Sequence, residues 1–167
     1  MVFDQLSAPD RPEHPVDVVE RIAALNDWTF AREGDDEISI FVPGTWSGYE
    51  VSFTWLPDIE ALHVGCAFPL SVPERKRAEA SLLAQTINRQ IWLGHFDVWF
   101  DDNLAMFRHT LCLAGGARAT DAQCGAVVNA AIKSCENYYP AFQWVSWAGK
   151  TPDEALALAM FETKGAA

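Results

Sequence analysis

The spacing of apolar residues changes several times along the chain, and each change marks a switch between helix and strand. From Pro15 onward, Val18 and Ile22 belong to a stripe of apolar residues at the three- and four-residue spacing of a helix. Between residues 28 and 68, apolar and polar residues alternate instead, in four short runs separated by turn-forming links. This pattern predicts a helix followed by a meander of four antiparallel strands.

Three further helices are predicted to begin at capping boxes, in which a hydroxyl residue precedes a Glu or Gln by three positions. The boxes are Ser71 with Glu74, Thr120 with Gln123, and Thr151 with Glu154. Gly94 and Gly149 stand where a left-handed residue would end the first two of these helices. The first of them is therefore predicted to run over about residues 72 to 93, roughly 33 Å in length. Pro140 is predicted to kink or break the helix that begins at Thr120.

Residues 96 to 113 return to the two-residue period and predict a hairpin that turns at Asp102-Asn103. The complete order is α-β-β-β-β-α-β-β-α-α. This is an α+β class, in which an antiparallel sheet made of a meander plus a hairpin packs with helices. Clean alternation in the third strand predicts that one face of the sheet is solvated or only lightly covered. We expect residues 1 to 14 to form a flexible arm and residues 15 to 164 to form a single domain.

Composition narrows the classes of partner. The 167 residues are 50% hydrophobic, which favours a folded chain, and they carry a formal net charge of −11. A negative surface repels phosphate backbones and anionic lipid headgroups, so we expect no nucleic acid and no membrane as partners. No apolar run reaches the roughly 20 residues of a transmembrane helix, no signal-peptide pattern opens the chain, and the four cysteines fit free thiols. We therefore expect a cytoplasmic protein.

No spacing of chemically competent residues amounts to a catalytic or metal-binding motif. His63 and Cys66 are three apart on a predicted strand and would face opposite sides of the sheet, which argues against zinc. A pairing of Cys112 with His95 would need a chance register of the hairpin. Asp101 fits the hairpin turn better than a pair of catalytic carboxylates. We expect no catalytic residue, no metal and no cofactor.

The residues left without a role are aromatic. Four of the seven tryptophans are more indole than one core of this size usually needs, and core packing and a contact surface both remain open for them: Trp92, Trp99, Trp144 and Trp147. One layer of helices covers only one face of the predicted hairpin, so we expect a homodimer built on the second helix and the hairpin. The candidate interface residues are Trp92, Phe96, Trp99, Met106, Trp144 and Trp147. Of these, Trp144 and Trp147 are predicted to fold back onto the sheet after Pro140.

Several segments, taken in order, resemble the YbjN family of bacterial domains over about residues 15 to 164. They are Val-Asp-Val-Val-Glu at 16 to 20 leading to Asn26-Asp27-Trp28, Trp-Leu-Gly-His-Phe-Asp at 92 to 97, Met-Phe-Arg at 106 to 108, and Tyr-Pro-Ala-Phe-Gln-Trp-Val-Ser-Trp-Ala-Gly at 139 to 149. The resemblance implies a fold like that of the type III secretion chaperones and a role as a sensory transduction regulator. It brings no catalytic residues with it.

Two functions stand at this point. The first is a non-enzymatic, protein-binding regulator or chaperone-like module that forms a homodimer. The alternative is a small-molecule-binding or enzymatic domain that uses a cleft between the sheet and the third helix. An open apolar groove or an unpaired strand edge would favour the first function. A closed pocket with converging titratable groups would favour the second.

Overall fold

A computed structural model describes residues 13–165, and within that range it contains six strands and four α-helices. In chain order they are α1 (Pro15–Leu25), β1 (Thr29–Arg32), β2 (Glu37–Pro43), β3 (Gly48–Leu56), β4 (Ala61–Ala67), α2 (Arg77–Asn88), β5 (His95–Trp99), β6 (Leu104–Cys112), α3 (Asp121–Trp147) and α4 (Pro152–Gly165). Short 3-10 turns at Pro57–Ile59 and Glu74–Lys76 precede β4 and α2. This order confirms the predicted succession of elements and the α+β class.

The residues just before α1 are tied to the fold. The side chain of His14 caps α1 by accepting a hydrogen bond from the backbone N–H of Val16, and its ring lies 3.1 Å from the Asp36 carboxylate. Glu13 pairs with Arg21 of α1. These two residues are the last of the predicted flexible arm, whose residues 1 to 12 lie outside the described range.

The strands join one antiparallel sheet in the order β1-β2-β3-β4-β6-β5, so β1 and β5 are its edges. The meander from β1 to β4 follows the chain, and the β5–β6 hairpin joins it through the pairing of β6 with β4. In the register, Val51 lies opposite Cys66, and Cys66 lies opposite Phe107. Residues paired in this way share one face of the sheet, and all three of these are buried.

We call the face that packs against the helices the inner face, and α3 fills its centre with aromatic rings. The ring centroid of Phe142 stands 5.2 Å from that of Phe68 and 5.5 Å from that of Phe96. Tyr139 lies 5.2 Å from Phe68, and Phe107 of β6 lies 5.7 Å from Phe96. Burial of a side chain of this size contributes about 1.5–3 kcal/mol. The cluster therefore ties α3, the hairpin and the segment after β4 into one core.

The opposite, outer face of the sheet is open at its centre. β3 alternates strictly, with Val51 and Phe53 buried on the inner face and Glu50 and Ser52 exposed on the outer face. This is the lightly covered face that the alternation predicts.

The second helix is shorter than predicted. α2 has 12 residues, about 18 Å by the helical rise, and begins at Arg77. The capping box at Ser71 does not form, and the backbone N–H of the next residue, Val72, donates to the carbonyl of Asn103 at 2.7 Å. That bond keeps the chain extended as far as Pro73, and the 3-10 turn follows.

The end of α2 also differs from the prediction. The Asn88 amide accepts from the N–H of Phe96 at 2.7 Å and donates to its carbonyl at 2.9 Å, and the helix ends there. Gly94 lies six residues further on, in a turn, with φ +75°. A Cβ at Gly94 would stand 2.1 Å from Cζ of Phe107. Glycine is thus required at this position by its backbone conformation and by close packing.

The other two capping boxes are confirmed. The Thr120 hydroxyl accepts from the N–H of Gln123 at 3.1 Å, and the Gln123 side chain accepts in return from the N–H of Thr120 at 2.9 Å. Thr151 and Glu154 make the same pair of bonds at 3.3 and 3.0 Å. Gly149 follows the end of α3 with φ +67°, as predicted.

The helix α3 does not break at Pro140. A proline in a helix interior costs about 3 kcal/mol through a lost hydrogen bond and a steric clash. Here Tyr139 and Phe142 are buried on either side of it, and their packing on the sheet offsets that cost. Trp144 packs partly buried against the core. Trp147 is 57% exposed, so its predicted return to the sheet is wrong.

The two glycines Gly94 and Gly125 give a matched test of this fold. We expect Gly94→Ala to lower the free energy of unfolding by about 2 kcal/mol or more, because it adds a clash and a strained φ. Gly125 lies inside α3 with no atom within 4 Å of an added Cβ, so Gly125→Ala should raise stability by about 0.5–1 kcal/mol. Urea unfolding measures both. A Gly94→Ala protein as stable as the unmodified chain would contradict the described turn.

Candidate interaction surface

Four of the six predicted interface residues do not come together. Phe96 lies in the core and is 2% exposed, and Trp144 is half-buried against the same core. Trp92 is 97% exposed in the turn after α2, and Trp147 stands at the end of α3. Phe96 and Trp144 thus belong to the core, and Trp92 and Trp147 are exposed after α2 and at the end of α3, so the four residues form no common surface.

The remaining two, Trp99 and Met106, share the outer face of the hairpin. Trp99 pairs with Leu104 and Asp97 pairs with Met106, so the side chains of all four point away from the helices. Met106 is 9% exposed, because its methyl group packs over Gly65 of β4, which has no side chain to exclude it. Trp99 is 39% exposed beside it.

Trp99 belongs to a hydrogen-bonded group of four side chains that we call the outer-face network: His63, Asp97, Trp99 and Arg108. The indole N–H of Trp99 donates to Oδ2 of Asp97 at 3.1 Å. Arg108 donates from Nη1 to the same oxygen at 3.3 Å and from Nε to Nε2 of His63 at 3.3 Å. Its guanidinium carbon also stands 5.4 Å from the centre of the Trp99 ring. Three strands, β4, β5 and β6, hold these groups in place.

The network fixes the protonation state of His63. Burial lowers the pKa of His63 below its usual value, and the nearby Arg108 and His95 lower it further. Because the Arg108 Nε–H can only donate, Nε2 of His63 must accept, and the ring is neutral with its proton on Nδ1. The Arg108–Asp97 pair is partly exposed and by itself contributes little stability. The network therefore orders Trp99 more than it stabilises the fold.

The two edges of the sheet differ. On β5, the Asn88 amide occupies both outward-pointing backbone groups of Phe96, and the N–H of Val98 donates to Oδ1 of Asp97 at 3.1 Å. On β1, the backbone groups of Phe30 and Arg32 point away from β2, and no hydrogen bond from residues 13–165 reaches them. β5 is thus closed to a further strand, and β1 is open.

A cleft of about 620 Å³ lies at the end of the sheet formed by the C-terminus of β2 and the start of β3. It opens to solvent and is lined mainly by apolar residues: Phe41, Val42, Pro43, Tyr49, Ala67, Phe68 and Pro69, with Gly48 and Glu50. The predicted alternative placed a cleft between the sheet and the third helix. The observed cleft lies at the strand ends, and Phe68 and Tyr49 separate it from the Tyr139 ring of α3.

Glu136 of α3 holds the turn beside this cleft. Its carboxylate accepts from the N–H of Thr45 at 3.0 Å and from the N–H of Trp46 at 3.4 Å. Burial raises the pKa of Glu136, but the hydrogen bonds that it accepts, those from Thr45 and Trp46 among them, outweigh burial and lower the pKa below its usual value. The carboxylate is engaged in structure and does not point into the cleft as a reactive group.

The metal-binding and Cys–His arrangements that were considered from the sequence do not form within residues 13–165. Within residues 13–165, no three His, Cys, Asp or Glu side chains converge as ligands for a metal ion. His95 pairs with Arg108, four residues from Cys112 along β6, so the His95–Cys112 pair is about 13 Å apart by strand rise. Cys112 is exposed, and Cys66, Cys124 and Cys135 are buried free thiols. Of the helices within that range, none combines the length and the apolar character needed to cross a bilayer.

These observations define the chain as a member of a class of small α+β domains in which helices cover one face of an antiparallel sheet and leave the other open. The model of the YbjN family, described as "Putative bacterial sensory transduction regulator", matches residues 15–144, and the chain belongs to that family. The matched range ends within α3, so α4 lies beyond it. No curated protein matches the chain.

A solved structure supports the shared fold. It is titled "Crystal structure of YbjN, a putative transcription regulator from E. coli", and it superposes with a TM-score of 0.52 at 11% sequence identity. The superposition covers 72% of this chain and 85% of that chain. At this identity the likeness concerns the fold, and it agrees with the succession of elements derived above.

The lowered histidine pKa values predict how stability depends on pH. Burial lowers the pKa of His109 as well, with His95 adding to the effect. Because the unfolded chain binds these protons at about pH 6.5 and the folded chain only at lower pH, stability is full above pH 6.5 and falls as pH drops below it. We expect urea unfolding between pH 7 and 5.5 to show this loss, smaller in His63→Gln and in His109→Gln. An unchanged loss in the double variant would contradict it.

Proposed function

We propose that this chain is a sensory transduction regulator that acts by binding other protein chains and not by catalysis, with the outer face of its sheet as the interface. The observation that carries the proposal is the outer-face network. Trp and Arg are the residue types most enriched at the energetic centres of protein interfaces. Here Trp99 and Arg108 are held in one arrangement before any partner arrives, which lowers the entropy cost of binding.

The surroundings of Trp99 fit a protein interface better than a reaction site. Leu104 pairs with Trp99 on the same face, and Met106 is its diagonal neighbour on β6, so the indole has apolar residues beside it. Phe41 and Leu56 are exposed on the same outer face, further across the sheet on β2 and β3. Between Phe41 and Leu56 the outer face carries small polar side chains, such as that of Ser52. An aromatic centre with polar surroundings is the usual composition of such interfaces.

We propose further that the first partner of this face is a second copy of the chain. A two-fold contact brings the same patch from both copies together and covers Trp99 twice. The net charge of −11 on each copy then opposes the addition of further copies. The apolar face of α2 packs into the core on the inner side of the sheet, so this proposal assigns the dimer contact to the hairpin and its neighbouring strands, without the second helix expected from the sequence.

The second candidate function, binding of a small molecule, has one observation in its favour. The cleft of about 620 Å³ at the sheet end falls within the size range of ligand sites, about 300–1,000 Å³. Glu50 and the buried Tyr49 are the titratable residues in its lining, and they do not form a set of acids and bases that converges on a ligand. The cleft is open and apolar, and no strand within residues 13–165 pairs with the outer edge of β1. Both features favour protein binding by the criteria stated above.

Sedimentation equilibrium at micromolar concentration tests the dimer. We expect a mass of about twice 18.5 kDa for the unmodified chain and a monomer for Trp99→Glu, because the new carboxylate would be buried beside Asp97 in a two-fold contact. Trp147→Glu and Trp92→Glu are matched controls, since each changes an exposed indole elsewhere, and both should remain dimeric. A monomeric unmodified chain, or a dimeric Trp99→Glu protein, would contradict the proposed interface.

A further inference from the structure

The open edge at β1 presents a regular set of backbone groups. The hairpin between β1 and β2 is closed by the N–H of Glu33 donating to the carbonyl of Glu37 at 3.0 Å. Because bonds alternate in an antiparallel pair, the next residue bonded to β2 is Ala31, and Phe30 and Arg32 direct both of their backbone groups outward. The outward N–H and C=O groups of these two residues are spaced so that one further strand, antiparallel or parallel, could bond to them.

The β1 edge differs from the β5 edge in how its backbone groups are protected. Exposed edges invite pairing with other chains, and folds commonly block them. On β5 the Asn88 side chain makes the two hydrogen bonds to Phe96 that an added strand would make. On β1 no described side chain does so for Phe30, and the strand is only four residues long. The described fold thus leaves one edge able to accept a short strand.

A groove beside β1 can receive the side chains of such a strand. It has a volume of about 270 Å³, lies between β1 and α1, and is lined by Asp17, Glu20, Arg21, Ala24, Phe30 and Arg32. Ala24 is exposed, and Phe30 is 37% exposed, so the groove has an apolar floor. Leu25, which ends α1, is also exposed, although it does not line the groove. Alternate side chains of an added strand would point into this groove.

The charge around the edge selects the partner. Arg32 in the groove is already shared by Asp17 at 2.7 Å and Glu20 at 2.6 Å. The rim of the edge adds further exposed carboxylates, which are Asp27, Glu33, Asp35, Asp36 and Glu37. A cationic segment would be attracted to this rim. A second copy of β1 would bring the same acidic rim against it and would be repelled.

We propose that the β1 edge and its groove bind an extended segment of a partner protein in which apolar and basic residues alternate. The segment adds a strand to the sheet through the backbone groups of Phe30 and Arg32. Its apolar side chains lie on Ala24 and Phe30, and its basic side chains face the carboxylates of the rim. This site deepens the proposed function, since it names the kind of partner, and it is separate from the outer-face contact between copies.

The probe is a fluorescein-labelled eight-residue peptide of alternating Val and Lys, titrated into the full chain and followed by anisotropy. We expect saturable binding that weakens as NaCl is added. A peptide with Glu in place of Lys should bind at least tenfold more weakly. A Val–Lys peptide methylated on alternate backbone nitrogens, with the same charge, should also lose at least tenfold, because it cannot donate to the edge.

The protein variants separate this site from the dimer contact. Phe30→Pro removes the outward N–H without removing a bond to β2, and it should weaken binding of the Val–Lys peptide at least tenfold while the protein stays dimeric. Trp99→Glu should bind the peptide as the unmodified chain does. Failure of Trp99→Glu to dissociate would therefore count against the proposed dimer face and not against this edge.

Three results would overturn the strand-accepting site. The first is equal binding of the Val–Lys peptide and its methylated form, which would reduce the contact to charge alone. The second is a monomeric Phe30→Pro protein, which would assign the edge to a second copy. The third is unchanged hydrogen exchange of the Phe30 and Arg32 amides in the peptide complex, a measurement on the unmodified chain that does not depend on the variants folding.

Discussion

The packing of α3 across one face of the sheet is the constraint on which the rest of the structure depends. Phe142 and Tyr139 bring their rings against Phe68 and Phe96, so a single helix joins the end of the meander to the hairpin. This contact is strong enough to keep α3 helical through Pro140. It also leaves the outer face exposed, because helices that pack on the inner face cannot cover the outer one.

A few polar side chains determine whether the outer face and the edges of the sheet are ordered, closed or open. Arg108 orders Trp99 on the outer face through Asp97 and His63. Asn88 closes the β5 edge with two bonds to one residue. Where such a side chain bonds the backbone of an edge, as Asn88 does, the edge is closed to other chains. Where it orders an aromatic ring, as Arg108 does, the face is prepared for contact. An edge with no such side chain stays open to other chains. The two proposed binding surfaces follow from this division.

The sequence predicted features that depend on neighbouring residues and missed those that depend on distant ones. The box at Thr120 forms because its four residues need only each other, whereas the chain after Ser71 is held extended by a bond from Val72 to Asn103, which is distant in sequence. Strand periods placed Trp99 and Met106 on one face, but not the network around them, since its members come from three strands whose register no local pattern specifies. No sequence signal marked Asn88 as an edge-closing residue.

We propose that the outer face of the sheet is where this chain contacts another protein chain. The most direct test is an isotope-filtered NMR experiment on a mixture of labelled and unlabelled copies, which detects contacts between copies only. We expect cross-peaks between the Trp99 indole of one copy and outer-face protons of the other, from Leu104 and Thr54. Contacts between copies that arise only from Trp92, Trp147 or α2, with none at Trp99, would contradict it.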